Sequence, residues 1–247
     1  MEKKRNVTLS VDDLRNFESE VIEKYDGANI RGPIHLSHGN EVPLIDVFQY
    51  VDKNDWVFST WRNHYHALLH GVDRDWLMSE VLAGRSINIS NGEAKFHTSA
   101  IVGGIIPIAT GTAMAIKRRN ELRANEINPL QEDGSQTTKG YIPDNTHVWC
   151  FIGDMAYSGG AFHESYTYAI KNNLPITFVV EDQGLSTNTP TQKSWNQNDN
   201  NFYAEQSDLQ PDGEFAIDKA VQIGQKLFYY KYERKYPHVG IGKWVYF

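Results

Sequence analysis

The chain has 247 residues and a formal charge of −7, from 24 basic against 31 acidic side chains. With 40% hydrophobic and 22% charged residues it can bury a real core, which excludes disordered and fibrous chains. Nothing in the acidic balance suggests a nucleic-acid surface, and a single domain spanning 1–247 suits this length. Cys150 is the only cysteine, so no internal disulfide is possible and a reducing compartment is expected. The charged start Met1-Glu2-Lys3-Lys4-Arg5-Asn6 leads into no apolar segment, and no apolar run reaches the ~18 residues a membrane helix needs. The expectation is a cytoplasmic protein with no membrane contact.

In chain order, Val11 to Tyr25 carries Leu14, Phe17, Val21 and Ile22 at helical spacing and predicts an opening helix. Val42 to Val51 predicts a second helix, Trp56 to Thr60 a short strand, and Asp75 to Ala83 a helix stopped at Gly84. The turn Val102-Gly103-Gly104 precedes a small-residue helix running through Arg119. Asn120 to Asn145 is polar and turn-rich and reads as a surface loop. His147 to Ile152 reads as a buried strand, followed by a turn at Gly153-Asp154, a helix from about Gly160 to Lys171, and a second buried strand from Ile176 to Val180. That order predicts a βαβ unit with parallel strands. Thr187 to Phe215 is again polar and reads as a surface loop, and Ala216 to Tyr230 is expected to be a helix. The fold class is α/β, a parallel sheet flanked by helices on both faces.

Chemistry centres on Gly153-Asp154-Met155-Ala156 and on Glu181-Asp182-Gln183-Gly184, with Gln183 lying 29 positions after Asp154. Both segments follow predicted parallel strands. Ligands of open parallel sheets bind outside those strand ends, so the Asp154 carboxylate and the Gln183 amide oxygen are expected to converge. Hard oxygen ligands suit Mg²⁺, whose coordination is completed by phosphate and water. Gly159-Gly160 leaves backbone N–H groups for an anion. Spacing alone is equally compatible with Asp154 as a helix N-cap and Glu181 to Gly184 as an ordinary turn. His64, His66 and His70 offer a rival zinc reading, but no glutamate completes a His-Glu-x-x-His pattern. Glu164 reads as a structural or interface carboxylate.

Five blocks in register carry a resemblance. Gly153 to Ala156 and the segment about thirty residues later resemble the Gly-Asp-Gly…Asn cofactor motif of thiamine-diphosphate enzymes. His35-Leu36-Ser37-His38-Gly39-Asn40-Glu41, Ser59-Thr60-Trp61-Arg62-Asn63-His64-Tyr65-His66-Ala67-Leu68, and Ile101-Val102-Gly103-Gly104 with Pro107 and Gly111 resemble further blocks of one branch. That branch is the alpha subunit of the decarboxylating first component of 2-oxoacid dehydrogenase complexes. The resemblance covers residues 30 to 190.

The resemblance implies a thiamine-diphosphate-binding fold, with this chain as its diphosphate-binding domain. It implies Asp154, Gln183 and the Leu185 carbonyl as Mg²⁺ ligands. Arg62 would contact the diphosphate, beside Trp61 in a position that usually holds tyrosine. Ala100 and Val102 would meet the aminopyrimidine through their backbone, and Met155 and Ala156 would lie against the diphosphate. His35, His64 and His66 would stand near the thiazolium as catalytic candidates. Met155 replaces the motif's second glycine and Gln183 its asparagine. The family's alpha subunits continue through a histidine-bearing loop; His238 is the residue available for that role, though no block around it matches.

The implied activity is decarboxylation of a 2-oxoacid, with the cofactor as electron sink and the acyl group passed on. The activating glutamate would come from a beta-type subunit, in a symmetric heterotetramer, and a lipoyl-bearing acyltransferase is a further expected partner. Two alternatives stay open: a subunit of a non-oxidative decarboxylase or acyloin synthase, and a scaffold that kept the fold without the cofactor, to which Met155 and Gln183 point.

Overall fold

The computed structural model describes residues 1–127, 144–195, 221–222, 226–236 and 238. Its elements run α1 (Val11–Asp26), α2 (Glu41–Phe48), β1 (Trp56–Ser59), α3 (His64–His70), α4 (Arg74–Leu82), β2 (Ser90–Asn91), β3 (Phe96–Thr98) and α5 (Ile105–Ile127). They continue through β4 (Val148–Gly153), α6 (Asp154–Tyr157), α7 (Gly160–Lys171), β5 (Ile176–Asp182), β6 (Leu185–Ser186), β7 (Thr189–Pro190), α8 (Thr191–Trp195), β8 (Val221–Gln222) and β9 (Leu227–Lys231). Among the described residues the strands form a seven-stranded sheet of order β2-β3-β1-β4-β5-β9-β8 and a separate β6-β7 pair. β3, β1, β4, β5 and β9 are mutually parallel, while β2 and β8 run antiparallel at the two edges.

Local signals explain the helix starts. Ser10 and Asp13 form a reciprocal capping box at α1: the Ser10 hydroxyl accepts from the Asp13 N–H at 3.2 Å and the Asp13 carboxylate accepts from the Ser10 N–H at 2.8 Å. Asp73 caps α4 by accepting from the Trp76 N–H at 2.8 Å. Gly84, just past α4, stands at φ +79°, a left-handed conformation that glycine adopts without a Cβ penalty.

The central strands read as continuous apolar runs because both faces are covered. Along β4, Trp149 and Phe151 join the core under α1–α4, while Val148, Cys150 and Ile152 join the core under α5–α7. β5 splits the same way, Val179 against Phe178 and Val180, and β9 places Phe228 and Tyr230 on one face and Leu227 and Tyr229 on the other. Phe151, fully buried, stacks on Phe48 at a centroid distance of 5.3 Å. Burying a side chain of this size stabilises by roughly 2–3 kcal/mol. Among the described residues no helix is long and apolar enough to cross a membrane.

The βαβ unit over 148–182 forms as expected, with Gly153 paired to Glu181 at the carboxyl ends of β4 and β5. Three expectations are corrected. The helix expected to stop at Arg119 continues to Ile127, so 120–127 is not loop. Polarity misled there: Arg118, Glu121 and Leu122 are good helix formers on an exposed face, and Lys117 and Glu121 pair at 3.8 Å one turn apart. Residues 128–143 of that expected loop lie outside the described residues.

The expected helix over 216–230 is not formed in its described part, where 221–222 and 227–230 are strand. The run Leu227-Phe228-Tyr229-Tyr230 is aromatic and buried on both faces, and pairing with β5 decides for strand over helix. In the stretch expected to be irregular from 187, Thr189–Pro190 pairs with Leu185–Ser186 and Thr191–Trp195 is helical, while 196–215 lies outside the described residues. The strand Phe96–Thr98 and the helix His64–His70 were not foreseen.

Candidate functional site

A cleft open to solvent lies at the carboxyl ends of β1, β4, β5 and β9. Trp61, Arg62, Val102, Asp154, Met155, Ala156, Gln183 and Leu185 all line it. They come from four separate segments, which the parallel sheet gathers at one end. Ala100, half-buried, precedes the exposed Ile101 and does not line the cleft.

Asp154 is the first residue of α6, with Gly153 rather than Asp154 in the N-cap position. It is 6% exposed, and burial pushes its carboxyl up to about 6. The Thr191 hydroxyl donates to its Oδ2 and opposes that shift, while the nearby Asp182 carboxylate reinforces it. A buried carboxylate beside a second one favours a bound cation. Gln183, at the end of β5, accepts from the Tyr232 hydroxyl through Oε1 at 3.3 Å. Met155 is helical, so the backbone there does not demand the glycine that the motif carries.

Arg62 is 6% exposed and donates through Nη1 to the Leu36 carbonyl. Among the described residues no carboxylate stands within ion-pair distance of its guanidinium, and burial lowers its pKa. Arg234, also 6% exposed, donates through Nη2 to the Thr187 carbonyl at 2.8 Å. Burial first, then the nearby Arg62 charge, pulls its pKa to about 10. Two buried guanidinium groups thus give this end of an acidic protein local positive charge.

The three histidines expected near the chemistry stand behind the cleft wall and do not line it. His64 is fully buried, with Nε2 2.9 Å from the Ser86 hydroxyl and Nδ1 3.3 Å from Glu18. His66 is also fully buried. Its Nε2 lies 3.1 Å from Oε2 of Glu181, which does line the cleft, so it reaches the site only through that carboxylate. His35 donates from Nδ1 to the His238 carbonyl and packs beside Trp61 with ring centroids 6.0 Å apart. Burial, partly offset by that carbonyl, pulls His35 down to about 3, and burial with the Arg62 charge pulls His238 to about 4. Both imidazoles are neutral at pH 7.

Among the described residues no three His, Cys, Asp or Glu side chains are grouped to hold a metal, so the zinc reading of His64, His66 and His70 finds no site. His70 packs instead against Phe48 and Phe96, and burial lowers its pKa to about 4. Because the unfolded chain protonates near 6.5 while the fold resists until about 4, stability is lost as pH falls through that window. The loss attributable to His70 amounts to about 3 kcal/mol. In urea denaturation from pH 7 to 4, His70→Leu is expected to reduce the pH slope by about one proton; an unchanged slope would remove His70 from the account.

Sequence reasoning placed Glu181 in its strand-end block without a role and missed Thr191, Tyr232 and Arg234, which lie within or border this site. Glu181 was visible as a strand-end residue. Tyr232 and Arg234 become legible only once 227–231 is known to be a strand ending at the cleft.

A mostly parallel α/β sheet with a cleft at its strand ends, lined by Arg62 and Asp154, is the open-sheet architecture in which ligands bind at the strand ends. The dehydrogenase E1 component family model matches residues 10–205, and the chain belongs to that family. It is 30% identical over 188 residues to the alpha subunit of acetoin:2,6-dichlorophenolindophenol oxidoreductase from Bacillus subtilis, covering 72% of this chain and 50% of that one. It is 32% identical over 179 residues to the pyruvate dehydrogenase E1 component subunit alpha of Porphyra purpurea, covering 68% and 47%. The same identity and length hold for the chloroplastic subunit alpha-3 of Arabidopsis thaliana, covering 68% and 38%. The chain spans about half the length of the curated relatives it matches, or less.

Proposed function

We propose that this chain is the cofactor-binding, alpha-type subunit of a thiamine-diphosphate-dependent enzyme that decarboxylates a 2-oxoacid and passes on the acyl group. The observation that carries this reading is the convergence of Arg62, Val102, Asp154, Gln183 and Leu185 on one cleft at the strand ends. The residues fit the group: a buried carboxylate facing the cleft suits Mg²⁺, and a buried guanidinium that pairs with no carboxylate among the described residues suits a diphosphate. Asp154, Gln183 and the Leu185 carbonyl would hold the ion, and Arg62 the diphosphate, with Arg234 adding charge behind it. When bound, thiamine diphosphate supplies the electron sink for decarboxylation. The protein's share is to bind and orient it, with the neutral His238 at the cleft beside Trp61 and His35 behind it.

In this reading the chain is one diphosphate-binding domain of a cytoplasmic enzyme, and a beta-type subunit supplies the pyrimidine-binding domain and the activating glutamate. Support comes from the cleft rim, where Ile101 and Val102 are 71% and 48% exposed, an apolar edge suited to burial by a partner. A symmetric heterotetramer follows as the expected assembly, with a lipoyl-bearing acyltransferase as the acyl acceptor's carrier. The relatives' names attach two donors, acetoin and pyruvate, so the substrate class is small 2-oxo and acyloin compounds.

Isothermal titration of thiamine diphosphate with Mg²⁺ tests this, using the chain alone and co-expressed with the neighbouring reading frame. Binding that needs Mg²⁺ and is strengthened by the partner is the expected result. No binding in either sample, with a folded complex in hand, would leave only the scaffold reading.

A further inference from the structure

β9 lies parallel to β5 with Glu181 opposite Tyr230, and the ladder extends one step further through the Tyr232 N–H to the Asp182 carbonyl at 2.9 Å. Three tyrosines of this segment donate their hydroxyls to three successive residues at the carboxyl end of β5. Tyr230 donates to Glu181, Tyr229 to Asp182, and Tyr232 to Gln183 at 3.3 Å. The tyrosines are 1%, 1% and 7% exposed, so their hydroxyls are held within the fold rather than by solvent. Asn40 adds a second donor to Glu181 at 3.1 Å, and His66 stands behind it. The end of β5 is therefore fixed side chain by side chain from the neighbouring strand.

This arrangement bears on the residue that departs from the family motif. Gln183 has one more side-chain torsion than asparagine. A freely rotating glutamine loses more entropy when its oxygen is fixed on an ion. A donor that fixes the amide before the ion arrives removes that loss, as outer-shell partners of metal ligands do. Resting on the function proposed above, we infer that Tyr232 is the positioning residue that lets glutamine serve as a Mg²⁺ ligand in this chain, by anchoring the Gln183 amide oxygen at the cleft.

The test reads ion affinity, not turnover. Mn²⁺ is titrated as the spectroscopic probe with saturating thiamine diphosphate, following free Mn²⁺ by electron paramagnetic resonance. The sample is the full chain, alone or in the complex, whichever binds in the titration above. Tyr232→Phe is expected to weaken Mn²⁺ by about tenfold. In a Gln183→Ala background the same substitution is expected to add no further loss, since its effect passes through the amide. Thermal melts of each variant separate this from misfolding. Wild-type affinity in Tyr232→Phe, or an equal loss in both backgrounds, overturns the inference while leaving the function intact. Failure of the wild type to bind, or binding unchanged in Asp154→Ala, removes the proposed function and this inference with it.

Discussion

Asp154→Ala is expected to weaken Mg²⁺-dependent binding of thiamine diphosphate by at least about a hundredfold, because losing even an outer-shell partner of a metal costs 10–100-fold. Asp154 is the carboxylate that faces the cleft from the turn after β4, and it is 6% exposed. Glu181 also lines the cleft but is held by Tyr230, Asn40 and His66, and Asp182 is held by Tyr229. Since the substitution removes a buried, partly desolvated carboxylate, the ligand-free variant is expected to melt close to the wild type. Calorimetric titration beside a thermal melt therefore distinguishes a lost ligand from a lost fold. Binding within threefold of wild type would show that the ion is held elsewhere.

Arg62→Met is expected to move affinity and stability in opposite directions. The guanidinium is desolvated, and among the described residues no carboxylate pairs with it. Replacing a buried charge by an apolar side chain of similar length is often neutral or stabilising. The Leu36 carbonyl loses its donor, which offsets part of the gain. The ligand-free chain is thus expected to be unchanged or more stable by roughly 1 kcal/mol. Diphosphate affinity is expected to fall by about 2 kcal/mol or more, roughly thirtyfold, because a charge-assisted contact from a buried guanidinium is lost. Denaturant midpoints and titration of the same samples read both signs. A parallel fall in both would mean that Arg62 is a structural residue alone, held for its bond to Leu36.

Much of this protein is legible in the chain itself. The apolar runs at 148–152 and 176–180 and the glycine-bearing turn at 153–154 determine two parallel strands and the place where their ends meet. Asp154, Gln183 and Arg62 are legible because their chemistry is local: a carboxylate after one strand, an amide after the next, a guanidinium in a recurring block. The helix pattern at 11–26 and the stop at Gly84 follow from periodicity and backbone freedom alone.

Other features exist only in three dimensions. The run 227–230 has no decisive local period, and its strand state comes from pairing with β5 residues 49 positions earlier. Without that pairing, Tyr232 and Arg234 have no address in the site. The helical continuation over 120–127 is decided by which face is solvated, which polarity by itself does not tell. The histidines show the same limit from the other side. His64 and His66 sit in a block whose sequence points to chemistry, yet packing turns both rings into the core beneath α1–α4, where Glu18 and Glu181 meet them. Residue type and spacing determine which groups are present near a strand end; only the packed sheet decides which of them face the cleft.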